Sequence, residues 1–406
     1  FAALGPDSVA KILFTSGSTG EPKGVINTQR MLCSNQEAIA TLWPFLRARP
    51  PFVVDWLPWS HTFGANHNFN LVLFHGGTLV VDHGKPSPGL IGRTVETLRQ
   101  VSPTLYFNVP RGFDMLLPYL EREEALRATF FRDLDAIFYA AASLPNPLWE
   151  RLSACSIQAR GDRVPLLSAW GLTETSPMAT SVHFPIERAG VIGLPAPGTA
   201  IKFAPNAGKF ELRVKGPNVT PGYWKRPDLT ALCFDDEGYF RTGDAAKLRD
   251  ESAPERGIVF DGRIAEDFKL TTGTWVHVGS LRTQLVAATA PLVQDAVVAG
   301  LDRDAIGVLV FLSPAACQAA FPEVSASSLP SHPALRERLL EALRAHNRES
   351  PGSSHRVARA LILTEPPSID AGEITDKGYL NQRAVLTRRA ALVEALYGDD
   401  AAALVP

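Results

Sequence analysis

Cysteine is scarce in this 406-residue chain, and its four residues, Cys33, Cys155, Cys233 and Cys317, lie far apart with no C-x-x-C pairing. That spacing argues against a zinc site and against a disulfide framework, and fits the reducing environment of a cytoplasmic protein. Long apolar runs are missing too. The longest uninterrupted one, near residues 305–312, is far too short to span a bilayer. Charge of one sign is not in excess: the formal net charge is −2. No bulk electrostatic pull toward nucleic acid or an anionic membrane follows, so neither is expected as a partner. No internal repeat or low-complexity tract stands out, which gives no support to a solenoid. No methionine opens the chain and no signal peptide precedes its first motif.

What is present is a soluble globular composition, 45% hydrophobic and 20% charged, in a length that suggests two domains or more. The first motif is Thr15-Ser16-Gly17-Ser18-Thr19-Gly20-Glu21-Pro22-Lys23-Gly24. A strand is expected before it, over Val9–Phe14, and a helix behind it, over Asn27–Leu46, capped by Thr28. Three glycines, four hydroxyls and a lysine make this loop a cluster of backbone and side-chain donors. Such a loop suits an anion with many oxygens, above all a polyphosphate. It is not the P-loop G-x-x-x-x-G-K-[ST], because Lys23 follows Pro22 and precedes Gly24.

From Phe52 to Ser168, apolar runs alternate with helical patterns. Strands are expected at Phe52–Leu57, Thr78–Val81, Thr104–Phe107, Ala136–Ala140 and Val164–Ser168. Helices are expected at Leu90–Val101, Arg111–Leu126 and Pro147–Gln158. This alternation predicts an α/β fold with parallel sheet layers, whose ligands gather at the carboxyl ends of the strands. From Ala189 to Asp244 the texture is turn-rich, and a distorted β-barrel is expected there. A strand at Gly257–Asp261 leads to a domain boundary, dividing residues 1–262 from residues 263–406. The smaller part reads as α+β. Its strands are expected near Phe268–Leu270, Ala296–Leu301, Val308–Leu312 and Arg359–Leu363, with a long helix at His332–Arg348.

Further constellations follow in order. Trp56-Leu57-Pro58-Trp59-Ser60-His61-Thr62-Phe63-Gly64 wedges a polar pair among aromatics at a strand end, as an apolar pocket with one polar group requires. Asn66, His67 and Phe69 are expected to face the same pocket. Tyr139-Ala140-Ala141-Ala142-Ser143-Leu144-Pro145 has small residues that let a flat ring approach the backbone, and it fits a close-packed strand end equally well. Ser168-Ala169-Trp170-Gly171-Leu172-Thr173-Glu174-Thr175 sits at the end of an expected strand, where a helix start capped by Thr173 is the plain alternative. Tyr239-Phe240-Arg241-Thr242-Gly243-Asp244 places a carboxylate able to take two hydroxyls at once. Arg263 stands at the domain boundary, and Asp370-Ala371-Gly372-Glu373-Ile374-Thr375-Asp376-Lys377-Gly378 carries a lysine in a Gly-containing loop.

Taken together and in this order, these motifs resemble the adenylate-forming superfamily of acyl-CoA synthetases, luciferases and peptide-synthetase adenylation domains. The resemblance runs from Lys11 to about Arg389. Within it, Val25–Leu32, Thr271–Val276, Glu373–Gly378 and Asn381–Leu386 resemble feruloyl-CoA synthetases. The family has a whole subdomain ahead of its phosphate loop, so the chain is expected to be a piece of a longer protein.

The resemblance implies ATP, Mg²⁺ and coenzyme A as cofactors or co-substrates, and a small aromatic carboxylic acid as substrate. It assigns phosphate binding to Thr15, Ser16, Gly17, Ser18, Thr19, Gly20 and Lys23, and adenine binding to Ala141, Ala142, Trp170 and Gly171. Thr173 is assigned to the α-phosphate and Glu174 to Mg²⁺, since a hard cation bridging phosphates takes one or two carboxylates. Asp244 is assigned to the ribose, Arg263 to ribose or phosphate, and His61 to the acyl pocket against the carboxylate being activated. Lys377 is the implied catalytic lysine, neutralising charge that grows around the α-phosphate. The small domain is expected to be mobile about Ala265, which stands where the family hinge normally carries Asp or Lys. Gly279-Ser280-Leu281-Arg282 departs from the family's usual acidic segment. Three other readings stay open: a medium-chain fatty acyl-CoA synthetase, an adenylation domain loading a carrier protein, and a non-catalytic nucleotide-binding fragment.

Overall fold

The first strand, β1 (Val9–Ser16), does not hand over to a helix; it turns back as β2 (Pro22–Thr28). The two pair antiparallel from Val9↔Thr28 to Ser16↔Pro22. The structure is a computed structural model and describes residues 3–16, 22–87, 89–140, 144–187, 189–206, 208–368, 371–374, 380–398 and 402–406. The helix expected from Asn27 therefore begins later, at Gln29, and ends at Leu42. Asn27 is a strand residue because Val25, Ile26 and Asn27 find partners in β1. Thr28 caps the helix as expected, its Oγ1 accepting the N–H of Met31 at 3.3 Å.

The chain divides into two units, Phe1–Phe260 and Asp261–Pro406. In the first, five strands run parallel: β3 (Phe52–Asp55), β4 (Thr78–Val81), β5 (Leu105–Asn108), β6 (Ala136–Tyr139) and β7 (Leu166–Gly171). Helices Asn70–His75, Ile91–Gln100, Pro110–Arg122, Glu124–Arg132 and Asn146–Arg160 fill the connections. The single helix expected over Arg111–Leu126 is two helices, broken at Glu123.

Every residue of β5 and β6 is buried, as strands covered on both faces must be. Their alternation sorts the core into two layers. Tyr106, Ile137 and Tyr139 pack with Phe113, Leu117, Phe130 and Trp149 on one side. Leu105, Phe107, Ala136 and Phe138 pack with Ile39, Trp43, Val53 and Phe63 on the other.

The turn-rich stretch supplies antiparallel strands that continue the same sheet. They are β8 (Met178–Ser181), β9 (Val191–Pro195), β10 (Ala200–Asn206), β11 (Lys209–Lys215), β12 (Phe240–Leu248) and β13 (Ile258–Arg263). The sheet has eleven strands in the order β10-β11-β12-β13-β9-β8-β7-β6-β5-β3-β4. Its parallel half meets its antiparallel half at β7, and the motif Ser168–Thr175 begins there.

In the second unit, β14 (Phe268–Lys269) pairs with β15 (Trp275–Val276). The main sheet is β16 (Val293–Ala299), β17 (Ile306–Leu312) and β18 (Val357–Ile362), with β16 antiparallel and β18 parallel to β17. Helix Pro333–Glu349 makes the crossover a parallel pair requires. Val298, Val308 and Ala360 pack on one face with Leu285 and Leu339, while Val297, Leu309 and Leu361 pack on the other with Val385 and Leu396. Among the described residues, no helix is long and apolar enough to cross a membrane.

Candidate active site

Strand β7 ends in a tight reversal. A Cβ at Gly171 would lie 1.7 Å from the carbonyl oxygen of Pro177, so only glycine lets the backbones approach. The chain then makes a short turn at Thr173–Thr175. Thr175, not Thr173, closes this turn: its Oγ1 accepts the N–H of Leu172 at 2.8 Å and donates to the carbonyl of Pro177. Thr173 is therefore outside the capping role and lies buried at the strand end. Two distant amides hold the carbonyl of Met178, Asn35 at 2.9 Å and Asn218 at 3.0 Å. Asn218 also reaches the carbonyl of Thr175 at 3.2 Å.

Glu174 projects half-buried from this turn. Its Oε1 accepts the hydroxyl of Tyr223 at 2.9 Å, and its carbonyl accepts the N–H of Thr220 at 2.8 Å. Burial, reinforced by the negative charge of Glu174, pushes the Tyr223 phenol well above its usual range, so it stays a neutral donor. The segment carrying Tyr223 is stitched to the β1–β2 hairpin. Trp224 N–H donates to Gly24 at 2.7 Å, Ile26 N–H to Gly222 at 3.1 Å, and Thr220 Oγ1 to the carbonyl of Ile26 at 2.7 Å. On that hairpin Thr15 is paired with Lys23, and Ser16 with Pro22. The Lys23 ammonium lies 5.4 Å from the centroid of the Tyr223 ring. Lys23 and Glu174 are thus brought to one aromatic side chain. Gly17, Ser18, Thr19 and Gly20 lie outside the described residues.

On the antiparallel side, Gly243 (φ +71°) re-aims β12. Its N–H donates to Glu211 Oε1 at 3.1 Å, and Asp244 N–H to Thr242 Oγ1 at 3.1 Å. The Asp244 side chain turns toward β7, where Trp170 Nε1 donates to Oδ2 at 2.9 Å. Trp170 is 8% exposed and packs with Ala179, Leu212, Val214 and Ala246. Its indole edge, rather than an open ring face alone, is engaged. Ala141 and Ala142 lie outside the described residues.

His61 lies just ahead of a π-helical turn, Phe63–Phe69. Its Nδ1 accepts the N–H of Phe63 at 3.1 Å, which places the ring proton on Nε2. Trp59 and Phe69 flank the same loop with ring centroids 5.0 Å apart, and Trp59 is 52% exposed. Asn66 and His67 do not line that surface. Asn66 donates to Asn27 Oδ1 at 2.7 Å, and His67 is 1% exposed, stacked on Phe138. Burial pushes the His67 imidazole down to about 4, and Asn68 holds its Nδ1 at 2.9 Å. Asn68 in turn donates to Asp55 at 3.0 Å, whose own carboxyl burial pushes up to about 6.

In the second unit, Arg263 is exposed at the end of β13, and Ala265 is exposed in the turn Ile264–Glu266 that follows. Arg282, in the segment that departs from the family pattern, pairs with Asp295 at 2.6 Å. Lys377 lies outside the described residues. Ile374 and Leu380 on either side of it pair as an antiparallel bridge. Glu373, fully buried, is held by Arg389 at 2.7 and 2.8 Å and by Arg388 at 3.0 Å.

No group of three His, Cys, Asp or Glu side chains able to hold a metal occurs among the described residues. One half-buried carboxylate, Glu174, fits instead a hard cation that takes its remaining ligands from phosphate and water.

Residues 2–224 match the AMP-binding enzyme family, and residues 268–401 match its C-terminal domain, "AMP-binding enzyme C-terminal domain". The chain belongs to the AMP-binding enzyme family. Among curated members, it is 27% identical over 320 residues to the Probable CoA ligase CCL8 of Humulus lupulus, covering 73% of this chain and 50% of that protein. It is 32% identical over 259 residues to a Long-chain-fatty-acid--CoA ligase of Escherichia coli O6:H1, covering 61% and 43%. The chain thus spans about half the length of these relatives or less. Among solved structures, ATP-bound MatB from Rhodopseudomonas palustris superposes with a TM-score of 0.71 at 24% identity, over 96% of this chain and 69% of that one. That likeness establishes the mixed α/β fold with its large sheet and smaller C-terminal domain.

The residues that sequence reasoning missed are Tyr223, Asn35 and Asn218. Each acts on Glu174 or its turn across 40 to 140 residues of chain.

Proposed function

We propose that this AMP-binding enzyme is an acid–thiol ligase that converts an aromatic carboxylate, a hydroxycinnamate such as ferulate, to its coenzyme A thioester through an acyl-adenylate. The observation that carries the proposal is the meeting of Lys23 and Glu174 on Tyr223, with Asp244 bound to Trp170 in the same unit. A cation and a carboxylate suited to polyphosphate and a hard metal ion, with a second carboxylate suited to ribose hydroxyls, support this reading.

In the first step a carboxylate oxygen attacks the α-phosphorus of ATP. The new O–P bond forms as the bond to the bridging oxygen of the β-phosphate breaks, and pyrophosphate departs with that electron pair. Lys23 and the hydroxyls and N–H groups of residues 15–20 hold the departing phosphates. A Mg²⁺ ion, when bound, supplies charge neutralisation between phosphate oxygens. Glu174 is the residue to hold it. Thr173 binds the α-phosphate, Asp244 accepts from the ribose hydroxyls, and Ala141, Ala142, Trp170 and Gly171 border the adenine. His61, with its proton on Nε2, presents a donor to the acid's carboxylate. The half-exposed Trp59 beside Phe69 supports an aromatic acid.

Lys377 neutralises charge around the α-phosphate, and Arg263 meets ribose or phosphate. In the second step the small domain, residues 263–406, turns about Ala265. A coenzyme A thiolate then attacks the carbonyl carbon. The C–S bond forms, the C–O bond to phosphate breaks, and AMP leaves, the thiol proton having passed to solvent.

One specific likeness favours a second reading. The 32% identity to a long-chain fatty acid ligase supports an aliphatic acid in the same chemistry. The test is to supply Mg·ATP, coenzyme A and, separately, ferulate, 4-coumarate, benzoate and octanoate, following AMP and thioester together. Thioester with ferulate is the expected result. Turnover with octanoate alone selects the second reading. AMP without thioester points to another acceptor, such as a carrier protein. Silence with every acid overturns the proposal.

A further inference from the structure

Tyr223 does two things with two different parts of one rigid side chain. Its hydroxyl donates to Glu174 Oε1 at 2.9 Å, and its ring face lies 5.4 Å from the Lys23 ammonium. The residue is 9% exposed, so neither contact is a loose surface encounter. Its backbone is fixed from both sides. Val25 of β2 bridges it antiparallel, and its N–H donates to Thr230 Oγ1 at 3.0 Å. The Glu174 backbone is fixed as well, through Thr220. A glutamate has three side-chain torsions, and a carboxylate held at one oxygen loses most of that freedom before any ligand arrives. The carboxylate keeps further lone pairs with which to meet a cation. A lysine over an aromatic face is likewise held without being neutralised, keeping its full charge for an anion.

We propose that Tyr223 is a positioning residue of the nucleotide site: it orients the Glu174 carboxylate for a divalent cation and holds the Lys23 ammonium, so that cation and polyphosphate are bound as one unit. This rests on the reading of Lys23 and Glu174 as the polyphosphate and metal ligands. An outer hydroxyl that fixes a metal-binding carboxylate commonly matters almost as much as the ligand itself.

The test measures binding, not turnover. Calorimetry gives the affinity for ATP with and without Mg²⁺, in the wild-type protein and in Tyr223→Phe and Tyr223→Leu. Tyr223→Phe keeps the ring and its packing and removes only the hydroxyl. It is expected to weaken Mg·ATP binding about 10-fold, the lower end for such outer-shell partners. Metal-free ATP should bind it as it binds wild type. Tyr223→Leu removes the ring too, and metal-free ATP should then also weaken, by roughly 3-fold. If Tyr223→Phe shows the wild-type gain from Mg²⁺, the inference is overturned. Equal loss with and without metal in Tyr223→Phe, with a lowered melting temperature, reduces Tyr223 to scaffold and overturns it too. A wild-type protein that binds no ATP in either condition overturns the functional reading itself, which separates the two failures.

Discussion

Trp170 Nε1 donates to Asp244 Oδ2 at 2.9 Å, joining two residues 74 positions apart in the chain. Both side chains are buried, so this is a charge-assisted hydrogen bond in a poorly solvated setting, and it fixes the plane of the carboxylate. An acceptor meant for two vicinal hydroxyls must present both oxygens in one plane, and a neighbouring indole N–H is a means of setting that plane. Trp170→Phe keeps the packing against Leu212 and Val214 and removes the donor. It is expected to weaken ATP binding about 10-fold, the low end for a hydrogen bond to a charged group. The loss should be smaller for 2′-deoxy-ATP, which lacks one of the hydroxyls that Asp244 is proposed to accept. Competition binding with both nucleotides checks this. An unchanged ratio between them would leave Trp170 a packing residue only.

The residues proposed for this site sit in short runs whose composition has a local reason. A loop of hydroxyls and glycines ending in Lys23 and Gly24 suggests a polyphosphate before any fold is considered, and the carboxylate one residue past Thr173 is a proposed metal ligand. The largely apolar runs of β5 and β6 are legible as well, since burial on both faces favours continuous apolar residues over alternation. What was not legible depends on distance. Nothing near Tyr223 says that its hydroxyl meets Glu174, 49 residues away, because the contact exists only once β2 captures the Gly222–Trp224 segment. The first helix begins two residues later than its sequence pattern predicts, for a related reason. Asn27 stands just before a good cap, but the partner strand that claims it lies across the loop. His67, expected to face the pocket, is carried into the core by the π-helical turn and the stack on Phe138.

Lys377 is assigned to the first half-reaction alone, and that assignment is open to a clean separation. Lys377→Ala is expected to lower adenylation by roughly two to three orders of magnitude, the loss typical of a group aimed at developing charge. Thioester formation from supplied acyl-adenylate should proceed at the wild-type rate. Pyrophosphate exchange and thioester assays on the same preparation measure the two steps. Equal losses in both would remove the lysine from this role.

Ala265 poses the converse case. It is exposed in the short turn Ile264–Glu266, directly after the end of β13. Proline there fixes φ and removes a backbone donor, which restricts any rotation without altering the nucleotide ligands. Ala265→Pro is expected to leave adenylation intact and to stall thiolation, with acyl-adenylate accumulating on the protein. Normal rates in both steps would place the moving joint elsewhere.

The second unit is tied together at Glu373, and its acid sensitivity follows from that residue. The hydrogen bonds from Arg389, aided by Ser368 N–H and the charge of Arg388, hold the carboxyl down to about 2 from an ordinary 4.5. A depressed carboxylate stabilises the folded state fully above its unfolded value and progressively less as pH falls below it. The contribution is therefore whole at pH 7, begins to fail below about pH 4.5, and is gone near pH 2. Glu373→Gln removes the charge and leaves Arg389 buried without its counter-ion, which costs about 3–5 kcal/mol for a pair of this kind. Hydrogen exchange of the β17 amides, residues 306–312, reads the stability of this unit directly. The gap between wild type and Glu373→Gln should be large at pH 7 and narrower at pH 3. A gap that stays constant across that range would mean that the carboxylate charge is not what binds Arg389 and Arg388 to this loop.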